Sequence, residues 1–189
     1  ALPILIWGMI DGAYRYKVHK IKLDLPNLPS AFNGLKIVQI SDLHTGSFMG
    51  TNHLIKAVDL ILEQKPDVIF FTGDLVNDLH TEALEFEHTL NRLKAPHGVY
   101  SILGNHDYGD YYKWQSMEDK ISNLDKLKAF HGELGWKLLL NEHTFIEKDG
   151  DKIGLIGVEN WSARRMFTQY GNMTAATNGM TPAPVNILL

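Results

Sequence analysis

Apolar positions in this chain fall in short blocks separated by amphipathic stretches, and the order of those blocks predicts a mixed α/β protein. Leu35-Lys36-Ile37-Val38-Gln39-Ile40 predicts a buried strand. Leu54, Ile55, Val58, Ile61 and Leu62 then recur at helical spacing, with Thr51 or Asn52 as cap and Pro66 as stop. Val68-Ile69-Phe70-Phe71 is a continuous apolar run, the pattern of a strand covered on both faces. A second helix is expected from about Thr81 to Lys94, turning Leu84, Leu90 and Leu93 inward, and Val99 to Leu103 forms the next strand. Strand, helix, strand, helix, strand implies parallel pairing with right-handed crossovers.

The flanking segments are less regular. Tyr14 to Leu25 mixes apolar and basic residues with partial alternation, which predicts an edge strand guarded by lysines. Trp114, Met117, Ile121, Leu124 and Leu127 predict a helix lying over the domain. Thr144 to Glu147 and Ile153 to Val158, joined through Asp149-Gly150, predict a hairpin. Trp161 to Pro184 predicts loop with one short helix. Val185 to Leu189 predicts a further buried strand.

Composition narrows the class only modestly. The 189 residues carry 18 Lys plus Arg against 22 Asp plus Glu, a net charge of −4, so no global basic field invites nucleic acid. Cysteine is absent, which excludes disulfides and thiolate metal sites. The apolar opening Leu2 to Ile10 is too short to span a bilayer, which needs roughly 20 residues. Arg15, Lys17, Lys20 and Lys22 follow it. Residues 1–13 are therefore expected to be an apolar stub, either packed on the domain or the remnant of a membrane anchor with its basic flank on the cytoplasmic side. Residues 14–189 form the domain proper.

Candidate chemistry sits at the ends of the three parallel strands. Ser41-Asp42-Leu43-His44 follows the first, Thr72-Gly73-Asp74 the second, and Gly104-Asn105-His106-Asp107 the third. Carboxyl ends of parallel strands form the crevice where ligands bind in such sheets. Taken singly, an Asp after a strand is a turn or cap and a His is a solvated surface residue. Three such signals at three successive strand ends point instead to one shared site. Asp42 and His44 lie two apart, so on an extended segment they would point the same way and grip one ion. Asp74 has two oxygens and can bridge two cations, and Asn105 offers a neutral carbonyl oxygen. Nitrogen and oxygen donors without sulfur suit Mn, Fe or Zn. Gly73 and Gly104 would let the backbone turn where a side chain would crowd a substrate. His53 opens the first helix near the site and is expected to be a surface residue, while His80, His88, His97, His131 and His143 lie away from the strand ends and are expected to be solvated.

Asp42-Leu43-His44, Gly73-Asp74 and Gly104-Asn105-His106-Asp107 resemble, in order and spacing, the first three motifs of the calcineurin-like metallophosphoesterases. Lys36 to Gly46 resembles most the bacterial membrane-associated phosphodiesterases of that family. The resemblance implies a four-layer αββα sandwich. It also implies two divalent or trivalent ions (Mn, Fe or Zn), with Asp42 and His44 on the first, Asp74 bridging, and Asn105 on the second. His106 would serve the leaving group as proton donor or charge stabiliser, with Asp107 orienting its ring. The implied reaction is hydrolysis of a phosphodiester or pyrophosphate bond, with a hydroxide bridging the ions as nucleophile. The family also places a further His and a Gly-His-x-His motif later in its domain. No histidine follows His143, so the C-terminal part is expected to be missing and this segment alone to be inactive. Tyr108, Tyr111, Tyr112 and Trp114 suggest either core packing or an amphiphilic, lipid-linked or nucleotide-linked substrate at a membrane surface. A catalytically silent metal-binding or interaction module with the same fold is the alternative.

Overall fold

The computed structural model describes residues 12–162 and 168–189, together with Gly8. The apolar stub thus lies almost wholly outside the described residues. Two sheets form the frame. The first is parallel and four-stranded, in the order β1 (Ile37–Ile40), β2 (Val68–Thr72), β3 (Val99–Ile102), β4 (Lys137–Leu138). The second joins β5 (Glu142–Lys148) and β6 (Asp151–Gly157) as an antiparallel hairpin, with β7 (Asn186–Leu188) parallel to β6. Asp149 and Gly150 both take positive φ (51° and 86°), which is what a two-residue turn matching the strand twist requires.

Alternate residues of the central strand β2 face two different cores. Ile69 and Phe71 pack with Leu54 and Val58 of α1 (Asn52–Glu63). They also meet Ala83 of α2 (Thr81–Leu84), Leu90 of α3 (Glu87–Leu90), and Leu127 and Phe130 of α4 (Met117–Glu133). Val68 and Phe70 pack with Ile146, Ile153 and Leu155 of the second sheet. Because the strands advance in one direction across the first sheet, its crossover helices collect on one face. The second sheet covers the other face, and α5 (Met173–Thr177) contacts β5 and β6. These layers form the expected helix–sheet–sheet–helix sandwich.

Several sequence expectations need correction. Residues 15–25 form no strand: they are exposed and pair with no strand of either sheet. β1 is an edge strand rather than a buried one, and Ile37 stays 42% exposed. The expected helix from Thr81 to Lys94 is two single turns. Phe86 begins the second turn and is fully buried, while Leu84 faces solvent. β7 is likewise an edge strand with Leu188 exposed, not a buried one. The helix expected after Trp114 begins at Met117, where the Ser116 hydroxyl accepts from the Asp119 N–H at 3.1 Å. Its buried face is Asn123, Leu127, Phe130 and His131; Met117 and Ile121 are exposed.

His131, expected in solvent, is fully buried. Its Nδ1 lies 2.9 Å from Ser101 Oγ, its Nε2 has no hydrogen-bond partner, and its ring sits beside Phe71 and Trp136. Burial lowers its pKa from 6.5 to about 4, so the native ring is neutral. The unfolded chain takes up a proton below pH 6.5 that the native state refuses. The contribution is whole above pH 6.5 and is lost as pH falls toward 4, about 3 kcal/mol in all. Urea midpoints measured between pH 7 and pH 4 should fall accordingly, and His131→Gln should flatten that dependence.

Candidate metal centre

Hydrogen bonds beyond the ends of the strands bring the three motifs together. Past β1, the N–H groups of Asp42, His44 and Thr45 donate to the carbonyls of Gly73, Asp74 and Leu75 at 3.0, 3.1 and 2.9 Å. The segment is not extended as the sequence suggested. Asp42 and His44 have φ of 54° and 48°, and Asp74 has 58°, all in the left-handed region that side chains disfavour. Strain of this kind costs on the order of 1–3 kcal/mol per residue and clusters where function demands a particular side-chain aim.

Asp107 ties the second motif to the third. Its fully buried carboxylate accepts from the N–H groups of Asp74 (2.8 Å), Leu75 (2.8 Å), Val76 (3.3 Å) and Gly104 (2.9 Å). Burial pushes its pKa up to about 7, an effect the charge of Asp74 reinforces and the N–H donors oppose. The ring of His106 is held elsewhere. Its Nδ1 lies 2.8 Å from the Asn77 carbonyl, which makes Nδ1 the protonated nitrogen and leaves Nε2 to serve the site. Asp107 therefore shapes the backbone beneath the site instead of orienting that imidazole.

Glycine allows these loops to touch. A Cβ on Gly73 (φ 95°) would stand 2.3 Å from the Gly104 nitrogen, and one on Gly104 would stand 2.3 Å from Asp74 Oδ1. What a side chain would crowd is thus the neighbouring loop and the Asp74 carboxylate, not a substrate.

The side chains converge on a partly exposed surface. Asp74 Oδ1 accepts the His106 N–H at 2.8 Å, while Oδ2 faces His44 Nε2 at 3.8 Å. Ligand atoms of His44, Asp74 and His106 all lie within 4.8 Å of one another. Two donors at roughly 2.0–2.2 Å from one ion can be up to about 4.4 Å apart, so the His44–Asp74 pair fits a single cation. Asp42 lies outside this group, though its backbone adjoins Gly73. Asn105 is bound through Nδ2 to the Tyr111 hydroxyl at 2.9 Å. The donor chemistry therefore fits the implied ions.

Of the aromatic group after the third motif, Tyr108 is core. Its hydroxyl donates to Glu159 at 2.8 Å and its ring stacks on Tyr170 at 3.6 Å. Tyr111 and Tyr112 are half exposed. The Asn77 carbonyl and the Tyr111 hydroxyl are the site groups that sequence reasoning missed. Every residue has a carbonyl, so Asn77 left no signal; Tyr111 was visible only as one of four clustered aromatics.

The family model for calcineurin-like phosphoesterases matches residues 35–175. A transmembrane protein with metallophosphoesterase domain from Danio rerio is 28% identical over 193 positions, covering 98% of this chain and 41% of its own length. The UDP-2,3-diacylglucosamine pyrophosphatase LpxG of Chlamydia trachomatis is 33% identical over 132 positions, 68% of this chain and 40% of that one. The uncharacterized metallophosphoesterase YkuE of Bacillus subtilis is 39% identical over 99 positions, 49% of this chain and 32% of that one. The chain spans about two fifths or less of the length of these relatives.

Asp107→Asn should test the clamp. The amide would set donors against N–H groups that now meet a carboxylate, at a cost of about 3 kcal/mol. A lower thermal midpoint together with lost Mn²⁺ binding is the expected result by melting and calorimetry.

Proposed function

Because the chain belongs to the calcineurin-like phosphoesterase family, and so to metal-dependent phosphoester hydrolases, we propose that it forms the strand-end half of a dinuclear centre cleaving phosphodiester or pyrophosphate bonds. The observation that carries this reading is the convergence of His44, Asp74 and His106 within 4.8 Å at the tips of β1, β2 and β3. Asp42 and His44 would hold one ion and Asn105 the other, with Asp74 able to serve both. Ions bound there would activate a water molecule and neutralise charge on the phosphoryl oxygens.

The protein's own groups do the rest. The water oxygen forms its bond to phosphorus as the bond to the leaving oxygen breaks. His106 Nε2 supplies a proton or positive charge to that departing oxygen. The Asn77 carbonyl keeps the ring aimed by holding Nδ1. Asp107 preserves the loop shape on which this aim depends.

The proposed substrate is a lipid-linked or nucleotide-linked phosphoester met at a membrane surface, on its cytoplasmic face. Support comes from the relative named as a UDP-2,3-diacylglucosamine pyrophosphatase and the one named as a transmembrane protein. It also comes from the exposed apolar residues Ile21 and Leu23 interleaved with Lys20 and Lys22. Among the described residues no helix is long and apolar enough to cross a membrane. The second reading, a silent metal-binding module, would retain the ions and lack turnover.

Two substitutions in the full-length protein separate these roles. Asp74→Ala should abolish binding of both ions. His106→Ala should keep them while lowering kcat on bis(p-nitrophenyl) phosphate by about 100- to 10,000-fold. Equal metal loss in the two variants, read by Mn²⁺ calorimetry, would contradict the assignment. A parent protein that binds two ions without any cleavage would favour the silent module.

A further inference from the structure

Outside the residues assigned to the ions, Tyr111 contacts both Asn105 and His106. It follows the single 3-10 turn His106–Tyr108, after which Gly109 reverses the chain with φ 63°. The Tyr111 backbone N–H bonds the Asp78 carboxylate, which fixes where the side chain begins. Its ring tilts at 45° against the His106 imidazole with centroids 4.7 Å apart. Its hydroxyl accepts from Asn105 Nδ2 at 2.9 Å. The residue is nevertheless 48% exposed, so core packing does not account for its position.

The bond to Asn105 matters because an amide has two unlike ends. Oδ1 can ligate a cation, whereas Nδ2 carries two hydrogens and repels one. An unrestrained amide is free to present Nδ2 instead of Oδ1. Turning it over must then precede occupation of the second site. A hydroxyl that already accepts from Nδ2 engages that end of the amide and leaves Oδ1 for the ion.

We infer that Tyr111 is a positioning residue that sets the Asn105 amide with its oxygen toward the second ion; the inference rests on the metallophosphoesterase reading above. It acts through Asn105, without touching the ions. Its ring also packs against the His106 imidazole, whose Nδ1 is held by the Asn77 carbonyl.

The test uses metal-stripped full-length protein titrated calorimetrically with Mn²⁺, with thermal melts to establish that each variant is folded. Tyr111→Phe removes only the hydroxyl and keeps the ring. It should weaken the second ion about 3- to 10-fold, the range of one lost hydrogen bond, and the first by less than about 2-fold. Asn105→Asp supplies the control, because its two oxygens are equivalent and cannot present a wrong end. On that background Tyr111→Phe should change the second affinity by less than about 2-fold. An equal loss on both backgrounds would show a merely structural tyrosine and overturn the inference. So would a Tyr111→Phe protein that binds both ions as the parent does. A parent that binds no Mn²⁺ would overturn the metallophosphoesterase reading as well, which separates the two failures.

Discussion

The buried carboxylate of Asp107 is the constraint on which the rest of the site depends. A charge withdrawn from water is costly unless hydrogen bonds replace its solvation, and here four backbone N–H groups do so. Three come from the loop after β2 and one from the loop after β3, so a single side chain fastens two strand tips together. That fastening requires backbone to lie against backbone, which Gly73 and Gly104 permit because a Cβ on either would fall 2.3 Å from atoms of the other loop. With the loops so joined, Asp74 is held in a left-handed conformation that turns its carboxylate toward His44 and the His106 N–H.

The layered fold explains why such a cluster stands at this edge of the molecule. Consecutive parallel strands put every carboxyl end on one side of the sheet, and the helices that return the chain pack on one face. The hairpin sheet closes the other face with apolar side chains. Tyr108, stacked on Tyr170 and bonded to Glu159, then links the third motif to the segment after β6. The candidate metal site is thus braced from beneath by Asp107 and from the side by a buried tyrosine, while its outer side stays partly exposed.

Much of this was legible in order of residues. A continuous apolar run marked β2, the mostly apolar Val99 to Leu103 marked β3, helical spacing marked α1, and Asp149-Gly150 marked the hairpin, because each signal is local. Exposure was not legible. β1 and β7 have the same apolar content as interior strands yet lie at sheet edges, and Leu84 keeps helical spacing but loses its place when the helix breaks into two turns around Phe86. His131 reads like any helical histidine, and only the packing of Phe71 and Trp136 around it makes it neutral and buried.

The sequence alone determined which chemical groups are present and at which strand ends they emerge: Asp42, His44, Asp74, Asn105 and His106, since residue identity and strand order are carried along the chain itself. Tertiary structure decided their aim. The left-handed turns at Asp42, His44 and Asp74, the reassignment of Asp107 from a ring partner to a backbone clamp, and the tethers of His106 by Asn77 and Asn105 by Tyr111 all join residues through space. Hydrogen bonds of that kind depend on the distance between loops, which no local pattern of apolar and polar positions encodes.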